Sequence, residues 1–127
     1  MDRTFLALGS LFGLTGVMLG AFGAHALRHR FSVEMLIAFE AGVRYQMYHA
    51  LALLLIAVAI RQVGAARLLV VAGWLFCAGV VLFSGSLYAL TLTGTAALGA
   101  ITPVGGLMFI GGWACLLAFA LLQMGTR

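Results

Sequence analysis

The fold is decided by residues 5–27, which read FLALGSLFGLTGVMLGAFGAHAL. The glycines of this apolar run alternate in spacings of four and three residues, which places them on one face of a helix. In a bilayer the backbone must satisfy its own hydrogen bonds, so a helix forms there despite its glycines. A bare glycine face lets a neighbouring helix approach closely. We therefore predict five packing residues in the first helix, which are Gly9, Gly13, Gly16, Gly20 and Gly23.

The composition is that of an integral membrane protein. The 127 residues are 65% hydrophobic and 8% charged, whereas soluble domains have about 25% charged residues. Each membrane span needs about 20 apolar residues. The sequence therefore predicts an all-α integral membrane fold, a single domain over residues 1–127 with four transmembrane helices in an up-down bundle. The predicted spans cover about residues 4–27, 41–61, 68–92 and 103–124.

The last span is also rich in glycine. It begins at Pro103, and a proline suits the first turn of a helix. The glycines that we predict to pack in this span are Gly105, Gly106 and Gly112.

Residues 32–44 predict an amphipathic helix at the membrane interface between the first two spans. Ser32 suits the N-cap, and Glu34 in the first turn suits the helix dipole. The apolar stretch that follows, residues 47–60, measures only about 21 Å at 1.5 Å per residue. The second span must therefore take in preceding polar residues. Glu40 and Arg44 stand four residues apart, in the order that favours an ion pair along a helix.

In an up-down bundle, the unusual polar side chains gather at one end, on the predicted outer side. We interpret this group as the candidate ligand-binding site, made of His25, Glu40, Arg44, Tyr45, Gln46, Tyr48, His49, Ser84, Ser86 and Tyr88. A pocket there would hold a lipid headgroup, a quinone-like ring or an ion. The alternative is structural: an aromatic belt at the membrane surface, serines that cross-link helices, and a neutralised ion pair.

His49 is hardest to explain as a surface residue, because it lies about one turn deeper than Arg44 and Tyr45. A buried histidine needs a hydrogen-bond partner, and we expect a serine or tyrosine of the third span to supply it.

The residues give little support to a metal, to catalysis or to nucleic-acid binding. Arg28 and Arg30 flank His25 and His29 and would repel a cation bound there. The predicted bundle end has no paired carboxylates and no cysteine beside a base. The seven arginines are scattered instead of forming a basic patch with interleaved aromatics. We expect no catalytic residue, no cofactor, no metal and no nucleic-acid partner.

The arginines are better interpreted as topology signals. Arg3, Arg61, Arg67 and Arg127 fall on one face of the predicted membrane domain, and three others fall on the opposite face. Positive residues prefer the cytoplasmic side. The count predicts that both termini are cytoplasmic.

Four motifs resemble those of one family. They are GAFGAHAL at 20–27, YQMYHAL at 45–51, LFSGSLY at 82–88, and TPVGG at 102–106 with a later GW at 112–113. In this order they are similar to the YgdD-like membrane proteins, a family of unknown function (domain of unknown function 423) with a eukaryotic branch, transmembrane protein 256. The resemblance covers essentially the whole chain. It implies a four-span protein of the bacterial inner membrane, and it brings no reaction, ligand or catalytic residue.

Two functions remain open. The favoured one is an accessory or structural membrane protein that packs through its glycine faces, as a homo-oligomer or within a larger membrane complex. The alternative is a protein that binds or transports a lipid, small molecule or ion in the outer-leaflet polar pocket. Membrane lipids are expected partners in both cases.

Overall fold

The computed structural model describes residues 1–125, which fold into four long helices. These are α1 (Asp2–Leu27), α2 (Val33–Val63), α3 (Arg67–Thr93) and α4 (Thr102–Met124), with a 3₁₀ turn at Ala96–Ala100 leading into α4. Each is long and apolar enough to cross a membrane. The prediction of an all-α fold with four such helices is confirmed. Arg127, counted with Arg3 on one membrane face, lies outside the described residues.

The predicted amphipathic segment is the first part of α2 and not a separate helix. Ser32 caps α2, its hydroxyl accepting the amide of Met35 at 3.3 Å. The helix then continues without a break for 31 residues, about 46 Å at 1.5 Å per residue. The segment joins the second span because nothing between them breaks a helix, the chain's one proline being Pro103.

Helices α1 and α2 run in opposite directions. Gly9 of α1 lies against Ala50 of α2, whereas the later Gly23 lies against the earlier Phe39. The same opposed order holds between α3 and α4, where Phe76 faces Gly112 and Phe83 faces Gly105. The buried core lies mainly on α2 and α3, and α1 and α4 keep more of their surface uncovered.

Aromatic rings rest on glycines of neighbouring helices at several levels of the bundle. A Cβ placed on Gly23 or on Gly42 would come within 2.7 Å of the ring of Phe39 or Tyr88. We call such a glycine a ring seat. The other ring seats are Gly73 under Phe5, Gly79 under Phe109, and Gly112 under Phe76. Shape fit of this kind holds membrane helices together where lipid competes for apolar contact.

Two of the predicted packing glycines face backbone instead of a ring. A Cβ on Gly9 would lie 2.9 Å from the carbonyl oxygen of Ala50, and a Cβ on Gly105 would strike the backbone of Phe83. Backbone cannot rotate away as a side chain can, so these positions allow only glycine without a shift of the helices.

The remaining predicted packing glycines vary in how tightly they fit. Gly16 lies under the sulfur of Met47, and Gly20 lies near Val43. Gly106 is looser, since its Cβ would stay 3.9 Å from the nearest atom, on the Phe83 ring. Among residues 1–125, Gly13 has no such neighbour within 4 Å.

The neighbouring glycines Gly105 and Gly106 provide a matched test of this packing. Alanine raises helix propensity equally at both positions, but only Gly105→Ala forces a Cβ into backbone. We expect Gly105→Ala to lower the free energy of unfolding by about 1–3 kcal/mol and Gly106→Ala to leave it unchanged or slightly higher. Thermal unfolding of both variants in detergent, followed by circular dichroism, measures the difference. Equal destabilisation by the two variants would contradict the described helix contact.

Candidate functional site

Seven of the ten polar residues predicted to form one site separate into two groups, and the first is a buried hydrogen-bond network centred on Gln46. The Gln46 side chain is 3% exposed. Its amide nitrogen donates to the carbonyl oxygen of Phe12 and to the hydroxyl of Thr15, both at 2.8 Å. Its amide oxygen accepts the hydroxyl of Tyr88 at 2.7 Å. One side chain of α2 therefore binds α1 and α3 together.

This network has no polar atom left over for a ligand. A glutamine amide offers two N–H donors and one carbonyl oxygen, and each of the three has a partner here. The Thr15 hydroxyl in turn donates to the carbonyl oxygen of Leu11 at 2.8 Å. In the described part of the chain, every buried side-chain nitrogen or oxygen has a hydrogen-bond partner. The arrangement is that of a structural lock.

Two serines of α3 extend the lock to the other helices. Ser84 donates to the carbonyl oxygen of Gly42 at 2.6 Å, which ties α3 to α2. Ser84 ends a π-helical turn, Val80–Ser84. Ser86 bonds within α3 and also lies 2.6 Å from the hydroxyl of Thr102 at the start of α4. Both serines therefore act between helices.

His49 belongs to the second group, which lies between α2 and α4. It is 3% exposed, and its Nε2 accepts the indole N–H of Trp113 at 3.1 Å. Because an indole nitrogen can only donate, the ring hydrogen of His49 is on Nδ1, which lies 2.6 Å from the carbonyl oxygen of Tyr45. His49 is thus held as the neutral Nδ1–H tautomer. The hydrogen-bond partner expected from the third span comes instead from α4. The side chain that α3 places against His49 is the apolar ring of Phe76, with ring centroids 5.1 Å apart.

An open groove of about 480 Å³ lies beside His49, which is within the usual size range of small-molecule sites. Six of its eight lining residues carry aromatic rings, and all eight are uncharged, given the neutral His49. We call this the aromatic groove. Its lining residues are Tyr45, Tyr48, His49, Phe83, Gly106, Phe109, Ile110 and Trp113.

Three rings of the aromatic groove are nearly parallel. His49 stacks on Phe109 with ring centroids 3.5 Å apart and an interplanar angle of 5°. Tyr45 is inclined by only 17° to His49 and 21° to Phe109, with centroids 6.3 and 6.1 Å away. Phe83 tilts against this set, 4.6 Å from Tyr45. The parallel His49 and Phe109 rings are therefore buried against each other in the wall of the groove, and Tyr45 is the exposed ring of the three.

The polar atoms available at the groove are two phenol hydroxyls. Tyr45 and Tyr48 are 38% and 54% exposed, and neither hydroxyl has a hydrogen-bond partner within residues 1–125. The nitrogens of His49 and Trp113 are already paired with each other or with backbone. The groove can therefore donate two hydrogen bonds from its tyrosines.

Three of the predicted site residues join neither group. His25, Glu40 and Arg44 are exposed, and in the part of the chain that the structure describes Glu40 and Arg44 form no ion pair. The i,i+4 spacing permits that pair, but an exposed ion pair adds only about 0.3–0.5 kcal/mol on a helix. The side chains remain separate on the uncovered face of α2.

Sequence reasoning did not identify the α4 half of the groove. Phe109 and Trp113 are four residues apart, and with Ile110 they form a face of α4 that begins beside Gly106. That spacing was the available signal, since residues four apart share a helix face. Thr15, which accepts from Gln46, gave no signal distinct from an ordinary helix threonine. Among residues 1–125, no three His, Cys, Asp or Glu side chains gather as a metal site requires.

The chain is similar to known membrane proteins over most of its length. Residues 19–106 match the model of a protein family described as "Protein of unknown function (DUF423)". The UPF0382 membrane protein YwdK of Bacillus subtilis (strain 168) is 46% identical over 111 residues, which are 87% of this chain and 90% of the relative. The UPF0382 membrane protein SH2409 of Staphylococcus haemolyticus is 48% identical over 116 residues, 91% and 93% of the two chains. No solved structure matches.

Proposed function

The chain belongs to the DUF423 family of membrane proteins of unknown function, as its motifs predicted, and we propose that it binds an amphipathic molecule of the bilayer in the aromatic groove. The observation that carries this proposal is the groove itself. It is large enough for a small molecule, it opens beside a buried histidine, and its two tyrosine hydroxyls have no partner. The proposal is for binding and includes no catalytic step.

The division of the polar residues supports binding in the groove and not at the lock. Gln46, Ser84 and Tyr88 use their hydrogen-bonding atoms to join helices. Tyr45 and Tyr48 keep theirs free at the groove. The predicted outer-leaflet pocket is thus proposed here in a narrower form, formed by α2 and α4 with the rim of α3.

An accessory role remains a second candidate, with membrane lipids, a second copy or a larger complex as partners. It is favoured by Gly13, because no described residue lies within 4 Å of its Cβ position and another helix has room to approach there. Most other glycines of the α1 face are already used against α2. On α1, a partner helix could therefore pack closely at Gly13 and not along a continuous glycine face.

We further propose that the four helices cross a bacterial inner membrane up and down, with both termini in the cytoplasm and the start of α2 at the interface. The opposed contacts of successive helices and the bacterial membrane relatives support this arrangement. A C-terminal fusion to green fluorescent protein should fluoresce, because that protein folds in the cytoplasm but not after export. A dark fusion, together with an active alkaline phosphatase fusion at the same position, would overturn the orientation.

Two leucine substitutions test binding against packing. Gly106→Leu fills the floor of the aromatic groove, whereas Gly13→Leu places the same side chain on the free face of α1. The measurement is native mass spectrometry of the protein extracted gently from its own membrane. We expect the wild type and Gly13→Leu to carry a defined small-molecule mass and Gly106→Leu to lose it, with unchanged helix content in all three.

The same spectra show which role fails. If Gly106→Leu keeps the bound mass, or no defined mass accompanies the wild type, binding in the groove is contradicted. If Gly13→Leu instead dissociates an oligomer or a stoichiometric membrane subunit that the wild type retains, the accessory role is supported.

A further inference from the structure

We propose, on the basis of the proposed function, that the ligand of the aromatic groove is a quinone. A quinone is a flat, uncharged ring that bears carbonyl oxygens and, in membranes, carries an apolar tail. Three features of the groove point to this chemical class. They are its aromatic lining, the donors at its tyrosines, and its lack of charge together with the space beside Gly106.

The exposed rings of the groove fit a planar ligand. Of the three nearly parallel rings, His49 and Phe109 are buried against each other and Tyr45 is exposed. A flat ligand ring can pack on Tyr45 in the offset or edge-to-face geometry that aromatic pairs prefer. An acyl chain gains no such advantage, because it has no ring.

The groove has room for a ring beside Gly106. This glycine lines the groove, and the nearest atom to its Cβ position is 3.9 Å away, on Phe83. A flat ligand can therefore approach the helix backbone there.

The hydrogen-bonding atoms fit carbonyl oxygens. The hydroxyls of Tyr45 and Tyr48 have no partner among the described residues, and each can donate one hydrogen bond. The nitrogens of His49 and Trp113 are occupied. A ring with carbonyl oxygens needs donors and supplies none, which matches what the groove offers.

The absence of charge argues against an ionic headgroup in the groove. All eight lining side chains are uncharged, and a desolvated charge without a partner is strongly unfavourable. Arg44, next to Tyr45 in sequence, is exposed and does not line the groove. At the groove's edge, Ile110 is 66% exposed, which provides an apolar exit for a tail towards the surrounding lipid.

Tryptophan fluorescence tests this assignment directly. The chain has two tryptophans, and Trp113 lines the groove whereas Trp74 lies against Phe5. In the Trp74→Phe variant, emission reports on Trp113 alone. The probe is decylubiquinone, added to the purified variant in vesicles of phosphatidylethanolamine and phosphatidylglycerol. We expect saturable quenching, because a bound quinone lies in contact with the indole.

The controls separate binding from collision in the bilayer. Adding Gly106→Leu to the Trp74→Phe protein should leave only the linear quenching of a dissolved quinone. Adding Tyr45→Phe or Tyr48→Phe should raise the Kd of the saturable quenching about five- to tenfold, which is the effect of one lost hydrogen bond. Decanol, which has the probe's tail length without its ring, should not displace the quinone.

Several outcomes would overturn the quinone assignment. Linear quenching in every variant would do so, and saturable quenching that persists in Gly106→Leu would place the binding outside the groove. An unchanged affinity in both tyrosine variants, or displacement by decanol, would contradict recognition of the ring oxygens. If quenching is only linear while native spectra show a phospholipid lost in Gly106→Leu, the groove binds a lipid: the proposed function stands and the quinone is excluded.

Discussion

The structure depends on a constraint that the bilayer imposes on one side chain. An amide buried in hydrocarbon cannot form hydrogen bonds with water, so each of its polar atoms needs a protein partner. Gln46 finds all three on two other helices, and this fixes both the rotation of α2 and the height at which α1 and α3 meet it. With α2 fixed in this way, Tyr45, Tyr48 and His49 face α4 and not α1.

The second determinant of the structure is the packing of aromatic rings on glycines of neighbouring helices. Each aromatic ring that rests on a glycine brings two helices close and fills the space that a side chain would occupy. At Gly106 the nearest ring, that of Phe83, stays 3.9 Å from the Cβ position, and the aromatic groove lies there.

The sequence correctly predicted four helices that are long and apolar enough to span a membrane, because length and hydropathy alone decide that outcome. The sequence also indicated that Gln46, His49 and Tyr88 are unusual, since they are polar residues within or beside apolar spans. It did not show that Gln46 and His49 belong to different groups, since this depends on which face of α2 each presents and on partners such as Thr15 and Trp113. The predicted interfacial segment is the first part of α2, because polar residues make one side of a helix polar but do not end the helix.

Gln46, Ser84, Ser86 and Tyr88 thus form a structural lock between the helices, distinct from the groove. The most direct measurement is the free energy of unfolding of Tyr88→Phe beside Tyr48→Phe, in the same detergent and by the same method. Each change removes one phenol hydroxyl, but only that of Tyr88 is paired with Gln46. We predict a loss of about 1 kcal/mol for Tyr88→Phe and no loss for Tyr48→Phe. An unchanged stability of Tyr88→Phe, or equal losses in both variants, would contradict the structural lock.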